Sequence, residues 1–123
     1  MKLFKREDFI NRENPTPGKF HRLEVITGED KARDLGGISV VLPAGLQVPY
    51  HYHEKRESIL IILSGEATEI VEGKEVPFKA GDVIYLPAGE KHGVINRSNS
   101  DVRFLEFFTH PPVGADFVEA KEK

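Results

Sequence analysis

The chain has 123 residues, of which 39% are hydrophobic and 30% charged, so it is long enough for one domain with its own core and too polar for a membrane protein. A formal net charge of −3 without a basic stripe argues against nucleic acid as the main partner. The absence of cysteine excludes disulfides, thiolate zinc sites, iron–sulfur clusters and thiol nucleophiles, so any metal must be bound by histidine and carboxylate.

The N-terminal residues 1–18 are predicted to form an arm with a short helix. Residues 5–13 have room for one or two helical turns, with Phe9 and Ile10 as the apolar residues. Two prolines and a glycine within residues 14–18 end this segment, because they cannot continue a helix. The N-terminus has no apolar signal core, so we expect a cytoplasmic protein.

Residues 19–117 are predicted to form a single domain of short strands separated by turn residues. The predicted strands are 20–27, 38–42, 48–53, 58–63, 66–71, 75–78, 83–86, 92–96 and 102–108. No helix pattern is present to cover a parallel sheet, so the pattern predicts a mostly antiparallel, all-β barrel or sandwich. Residues 118–123 are predicted to be a mobile charged tail.

Three histidines lie where their side chains can converge on a metal ion. His51 and His53 are two residues apart on a predicted strand, so they point to one face, about 6.5–7 Å apart along the backbone. His92 begins another strand after a Pro-Ala-Gly loop, and Glu57 follows His53 by four residues as a candidate fourth ligand. Imidazole with carboxylate suits iron(II), manganese(II), nickel(II), copper(II) or zinc(II). An H-x-H pair alone is weak evidence of a metal, so the hypothesis depends on convergence.

Two segments resemble the two conserved motifs of the cupin superfamily. Residues 45–57 resemble the beginning of the first motif, G-x5-H-x-H-x(3 or 4)-E-x6-G. Residues 81–96 match the second motif, G-x5-P-x-G-x2-H-x3-N, at every fixed position. This resemblance implies a double-stranded β-helix of the jelly-roll kind, often homodimeric, with one divalent transition metal inside the barrel. It also implies that the ligands are His51, His53, Glu57 and His92.

One spacing departs from the first motif. Seven residues, rather than six, separate Glu57 from Gly65. If Gly65 sets the register, Ser58 takes the glutamate position and Glu57 points to the opposite face, because a one-residue slip inverts side-chain direction. If a bulge absorbs the extra residue, Glu57 is the fourth ligand. The alternative to a four-ligand site is a three-histidine site completed by water.

The last long predicted strand carries a candidate catalytic residue, Glu106. It has the same strand parity as Phe104 and Phe108. If that face is interior, Glu106 is a carboxylate buried among aromatic rings and could serve as an acid–base residue with a raised pKa. If the opposite face is interior, Glu106 is solvated.

Four other polar residues receive ordinary interpretations. His21 is predicted to lie at the surface or the edge of the core, and His110 at the barrel rim, neither of them as a ligand. Arg56 is predicted to be a solvated surface residue. Asn96 is predicted to hydrogen-bond the backbone of the turn after the second motif.

These features predict a single-domain cupin that binds a divalent metal and acts on a small polar molecule. Dioxygenase, isomerase and decarboxylase activities all occur among cupins, and the resemblance does not choose between them. The alternative is a protein that binds or senses a small molecule without chemistry. No apolar run approaches the roughly 20 residues of a membrane span, so no membrane partner is expected.

Overall fold

The computed structural model describes residues 1–121, and within them ten strands form two antiparallel sheets. The strands are β1 (His21–Ile26), β2 (Gly36–Leu42), β3 (Gln47–Tyr52), β4 (Ser58–Ser64), β5 (Glu66–Val71), β6 (Lys74–Lys79), β7 (Val83–Leu86), β8 (His92–Ile95), β9 (Val102–Phe108) and β10 (Val118–Glu119). The first sheet has the order β1-β2-β9-β4-β7, and the second has the order β10-β3-β8-β5-β6. The predicted all-β, antiparallel jelly-roll architecture is confirmed.

The N-terminal arm contains less helix than the sequence suggests. A single 3-10 turn, Arg6–Asp8, replaces the predicted one or two helical turns, and a second 3-10 turn, Gly28–Asp30, follows β1. Only Phe9 of the predicted helix is buried, so no apolar face stabilises a longer one. Neither helical segment of the described chain has the length and apolarity that a membrane span requires.

The core lies between the two sheets, and the buried residues of each strand show which of its faces is interior. On β4, Leu60 and Ile62 are buried while Ile59 is exposed. On β9, Phe104 and Phe108 are buried, so the residue between them on the same face also points into the barrel. Burial of each such side chain stabilises the fold by roughly 1.5–3 kcal/mol. Glu106 therefore lies on the interior face, which is the first of the two alternatives that the sequence left open.

A short strand lies beyond residue 117, the predicted end of the domain. Val118 and Glu119 form β10, which pairs with the two residues Tyr52 and His51 on β3. The backbone N–H of Ala120 continues the pairing by donating to the carbonyl of Tyr50 at 2.9 Å. A two-residue strand carries no alternation that a sequence pattern could show, which is why this part was assigned to a tail. Residues 122 and 123 of that predicted tail lie outside the described residues.

Arg56 is buried and holds the C-terminal segment in place by hydrogen bonds. The prediction of a solvated arginine is therefore wrong. Its side chain is 2% exposed, and its guanidinium lies 4.3 Å from the centre of the Phe108 ring. The Nε, Nη1 and Nη2 atoms donate to five backbone carbonyls, those of Thr109, His110, Pro112, Val113 and Ala115, at 2.8–3.2 Å. The planar fork of donors matches a loop whose carbonyls turn inward, so these carbonyls satisfy the buried guanidinium group.

Asp116 joins the same C-terminal segment to the loop between β3 and β4. Its carboxylate accepts hydrogen bonds from the backbone N–H groups of Glu54, Lys55 and Arg56 at 2.7, 2.8 and 2.9 Å. Three donors that would otherwise need water are thereby satisfied by one side chain. The segment from Thr109 to Ala120 is consequently fastened to the barrel beside the histidine motif.

Candidate metal centre

The structure brings the three predicted histidines together inside the barrel. His51 lies on β3 directly opposite His92, the first residue of β8, and His53 immediately follows β3. The exposed fractions of the three side chains are 6%, 6% and 5% for His51, His53 and His92. One ring nitrogen of each lies within 4.8 Å of those of the other two. This separation is suitable for three imidazoles that share one ion.

Each imidazole is oriented by a backbone carbonyl. The Nδ1 atoms of His51, His53 and His92 lie 2.6, 2.5 and 2.9 Å from the carbonyl oxygens of Pro49, Asp116 and Glu90, respectively. A carbonyl only accepts, so each Nδ1 carries the proton and donates it. The Nε2 lone pair of each ring is then free. This is the tautomer in which histidine binds a metal while its other nitrogen is held in place.

Burial keeps these histidines in the neutral form that a metal needs. Desolvation lowers the pKa of His51 and of His92 to about 4, and the neighbouring imidazoles add to the effect. Desolvation also lowers the pKa of His53. The hydrogen bonds to carbonyls oppose these shifts without reversing them. At neutral pH a metal ion therefore has no proton to displace from these rings.

Glu57 does not join the histidines, which corrects its prediction as the fourth ligand. Its side chain is exposed, and its Oε1 accepts a hydrogen bond from the Tyr85 hydroxyl at 2.6 Å. Ser58 occupies the inward position and is 3% exposed. The strand does have an irregularity between Ile62 and Ser64, but it leaves Ser58 inward. The first of the two registers derived from the sequence is the one observed.

Gly65 explains why this register is held. Its φ of +82° lies in the left-handed region, and a Cβ placed on it would stand 2.3 Å from the carbonyl oxygen of Asp101. No larger residue fits without moving backbone, so the end of β4 cannot slip along its neighbour β9. Ser58, rather than Glu57, consequently faces the barrel.

The histidines line a cavity of about 100 Å³ within the barrel. Most of its wall is apolar, and its other polar groups are carboxyl and guanidinium groups of Glu69, Glu106, Arg22 and Arg56. The Phe117 ring stacks on His51 with centroids 4.5 Å apart and planes inclined by 22°. The C-terminal segment thus supplies both a wall of the cavity and the carbonyl that orients His53.

Two carboxyl groups share this cavity in different surroundings. Burial raises the pKa of Glu106, whereas the Ser58 hydroxyl and the charges of Arg56 and Arg22 oppose the shift. Burial raises the pKa of Glu69 to about 8, and the nearby carboxyl groups of Glu106 and Glu90 act in the same direction. The cavity therefore holds one carboxyl group with cationic neighbours and one without.

Glu69 is a site residue that the sequence analysis missed. It lies on β5 between Ala67 and Val71 on the inward face, and it is 2% exposed. Residues 66–71 were predicted as a strand, but Ile70 and Val71 are both apolar, so the pattern does not say which face is interior. The signal that could have found Glu69 is its parity with Ala67, the small residue that follows Gly65-Glu66.

The remaining sequence predictions concern residues outside the cluster. His21 is partly buried on β1, His110 is exposed, and neither belongs to the group of convergent ring nitrogens. Asn96 is fully buried, and its Nδ2 donates to the carbonyls of Leu42 and Ser100 at 2.9 and 2.8 Å. Its predicted role in holding the backbone after the second motif is confirmed.

Comparison with known proteins decides the family. Residues 37–108 match the family model described as a cupin domain. This chain belongs to the cupin family. A crystal structure from Klebsiella pneumoniae, described as a protein with a double-stranded beta-helix domain, has a TM-score of 0.78, covers 99% of both chains and is 22% identical. At that identity the likeness shows the fold alone.

Two relatives are more similar in sequence. An oxalate-binding protein of Thermotoga maritima is 45% identical to this cupin over 64 residues, which are 52% of this chain and 53% of the relative. The crystal structure of a predicted oxalate decarboxylase from the same organism is 35% identical, with a TM-score of 0.67, and covers 76% of this chain and 83% of that one. The chain spans about half the length of the first curated relatives it matches.

Proposed function

We propose that this cupin binds one divalent first-row transition metal through the Nε2 atoms of His51, His53 and His92. The observation that carries the proposal is the orientation of three buried imidazoles by three carbonyls, which leaves three lone pairs directed away from the backbone. Iron, manganese, nickel, copper and zinc all accept imidazole ligands. Three protein ligands leave coordination positions open, as catalytic sites do and closed structural sites do not.

The ligand of this metal is, in our proposal, a small carboxylate of the oxalate class. The cavity of about 100 Å³ supports a ligand of few atoms, since an engineered cavity of about 150 Å³ is filled by benzene. Carboxylate oxygens are ready ligands for the metals named above. The names of the two Thermotoga maritima relatives, one oxalate-binding and one a predicted oxalate decarboxylase, support the same ligand class.

We further propose that the protein is a metalloenzyme of the lyase type. Decarboxylation of oxalate breaks its carbon–carbon bond, releases carbon dioxide and adds one proton to the remaining carbon to give formate. The metal, when bound, supplies Lewis-acid stabilisation of the carboxylate. Glu106 is the candidate proton donor because it lines the cavity and its pKa is raised by burial. The position of Glu106 on the interior face of β9 supports this role.

The second candidate is binding of the same ligand without chemistry. It is favoured by the relative named only as an oxalate-binding protein. The two candidates differ in one observable. A binding protein returns oxalate unchanged, whereas a lyase converts it to formate and carbon dioxide.

An experiment with carbon-13 oxalate tests the proposal and separates the candidates. The manganese-loaded protein is incubated with the labelled ligand, and formate and bicarbonate are followed by NMR while binding is measured by calorimetry. We expect binding that is lost in His92→Ala and retained in His110→Ala, whose imidazole is exposed. Formate production that disappears in Glu106→Gln supports the lyase, and binding without formate supports the second candidate. Absence of binding to the loaded protein refutes both.

We also propose that this cupin is a cytoplasmic homodimer. The outer face of the first sheet exposes Ile59, Val83 and Tyr85 to 44%, 63% and 57%. β7, which carries two of these residues, is an edge strand with an unpaired side. An exposed apolar patch beside an unpaired strand edge supports association with a second copy.

A further inference from the structure

Glu69 occupies a position beside the histidine cluster that the metal proposal does not use. On the shared inward face of β5 and β8, Glu69 pairs with Val94, and the next inward pair is Val71 with His92. Glu69 and His92 are thus diagonal neighbours, a separation of about 7–8 Å that a long side chain can bridge. The Glu69 carboxyl group forms part of the cavity wall.

This carboxyl group is buried at an energetic cost that nothing nearby offsets. Among the described residues, neither Oε1 nor Oε2 of Glu69 has a hydrogen-bond partner. The charged side chains that influence it are Glu106 and Glu90, both acidic, whereas Glu106 has Arg56 and Arg22 to balance it. Buried polar groups in folded proteins are nearly always hydrogen-bonded, so an exception on a cavity wall points to a missing ligand.

The chemistry of the Glu69 carboxyl group indicates which kind of ligand it would bind. A carboxyl group surrounded by apolar residues and other acids is held in its protonated form, which has one O–H donor. The strongest partner for such a donor is an anionic oxygen. A ligand that is held at the histidine cluster by one carboxylate and carries a second carboxylate group would present that oxygen to the wall beside the cluster, where Glu69 lies.

We propose that Glu69 is a specificity-determining residue of the cavity, whose protonated carboxyl group donates a hydrogen bond to the second carboxylate of a small dicarboxylate. This assignment rests on the proposed function, because it requires a carboxylate held at the three histidines. It deepens that function by stating which part of the ligand is recognised away from the metal. Glu69 thereby favours dicarboxylates over monocarboxylates, which lack the second acceptor.

The test compares variants that lack the Glu69 carboxyl group, and it compares oxalate with formate, which lacks the second carboxylate. Oxalate and formate are titrated by calorimetry into manganese-loaded wild-type protein, Glu69→Leu and Glu69→Gln. In Glu69→Leu we expect oxalate affinity to fall at least tenfold while formate affinity changes less than threefold, which corresponds to one hydrogen bond to a charged group. Glu69→Gln keeps an N–H donor and should retain oxalate affinity to within about threefold. Glu57→Gln, an amide substitution on the outer surface, is the matched control.

A second readout does not depend on metal or ligand. Leucine removes the unpartnered carboxyl group, so the metal-free Glu69→Leu protein should melt about 3–6 °C above the metal-free wild type. If Glu69→Leu gains stability and loses oxalate binding, the Glu69 carboxyl group serves ligand binding and not the stability of the fold. Manganese content is measured in each variant, and we expect it to be unchanged.

Three results would overturn the assignment. One is unchanged oxalate affinity in Glu69→Leu when the wild type binds oxalate. Another is an equal loss of oxalate and formate affinity, which would mean that Glu69 only supports the histidines. A third is a lower melting temperature in metal-free Glu69→Leu, which would make the residue structural. If the loaded wild type does not bind oxalate at all, the proposed function itself fails and the role of Glu69 fails with it.

Discussion

The hydrogen bond from Nδ1 to a backbone carbonyl is the feature that each of the three histidines shares. The acceptors belong to Pro49, Glu90 and Asp116, which lie on three different segments. Main-chain acceptors cannot rotate away as side chains can, so each hydrogen bond holds its ring in one orientation. The main chain therefore fixes the three rings, and a metal that binds as proposed would not have to order them.

The low pKa values of His51 and His92 predict an unusual pH dependence of metal binding. A metal competes with protons only below the pKa of its ligands, and these pKa values are about 4 rather than the ordinary 6.5. We expect the affinity for zinc, measured by calorimetry, to fall less than about threefold between pH 7.5 and pH 5.5. A decline of about tenfold or more over this range would indicate histidines with ordinary pKa values.

The C-terminal segment has several contacts with the histidine site. Asp116 provides the carbonyl that orients His53, and its carboxylate caps three N–H groups of the loop before β4. Phe117, the next residue, stacks on His51. Loss of these contacts should therefore affect the metal site as well as the local fold.

Asp116→Ala is predicted to weaken metal binding although the substituted side chain is not a ligand. Three N–H donors lose their acceptor, and the carbonyl that holds His53 loses its fixed position. Removal of such supporting contacts typically lowers metal affinity by about 10- to 100-fold. Competition with a chromogenic chelator measures the change, with Asp8→Ala in the N-terminal arm as the control. Equal affinity in wild type and Asp116→Ala would show that the segment does not support the site.

Arg56 is expected to contribute to the stability of the fold through its contacts with the C-terminal segment. Lysine keeps the charge but lacks the fork that reaches five carbonyls, so Arg56→Lys should lower the free energy of unfolding by about 2–4 kcal/mol. Arg97→Lys is the matched control, because Arg97 forms an exposed ion pair with Glu75 at 2.8 Å. Such exposed pairs contribute little to stability because solvent screens them. Urea denaturation of metal-free protein compares the two, and similar midpoints would refute the structural role of Arg56.

The sequence predicts those features that depend only on residues close to one another in the chain. The H-x-H spacing correctly placed His51 and His53 on one face, because side chains alternate along any strand. The parity of Glu106 with Phe104 and Phe108 offered two faces, and the observed one depends on the packing of both sheets. Glu57 could not be distinguished from Ser58 by spacing alone, because the choice depends on the contact between Gly65 and the backbone of Asp101.

Contacts between distant segments lay beyond prediction. The five carbonyls bound by Arg56 are 53 to 59 residues away in sequence, and no local pattern marks them. β10 is two residues long, so it shows no alternation. Glu69 lies in a strand whose final two residues are both apolar, and the pairing of β5 with β8 establishes its inward orientation. These features can be recognised only in the folded barrel.

For the whole molecule, the exposed apolar patch on the first sheet predicts the assembly state. We expect wild-type protein to have the mass of a dimer in light scattering, and Val83→Asp to have the mass of a monomer, because a charge on the edge strand opposes pairing. Val76→Asp is the control, since Val76 is 50% exposed on β6 of the other sheet. A monomeric wild type, or a dimer that survives Val83→Asp but not Val76→Asp, would contradict this location of the interface.

The metal content of protein purified without a histidine tag shows whether the three histidines bind a metal. Elemental analysis should find close to one equivalent of iron, manganese, nickel, copper or zinc per chain in the wild type. His51→Ala and His92→Ala should reduce it at least tenfold, and His110→Ala, outside the cluster, should not. Full metal content in His51→Ala and His92→Ala would contradict the account, as would a wild type that contains no metal and takes up none on reconstitution.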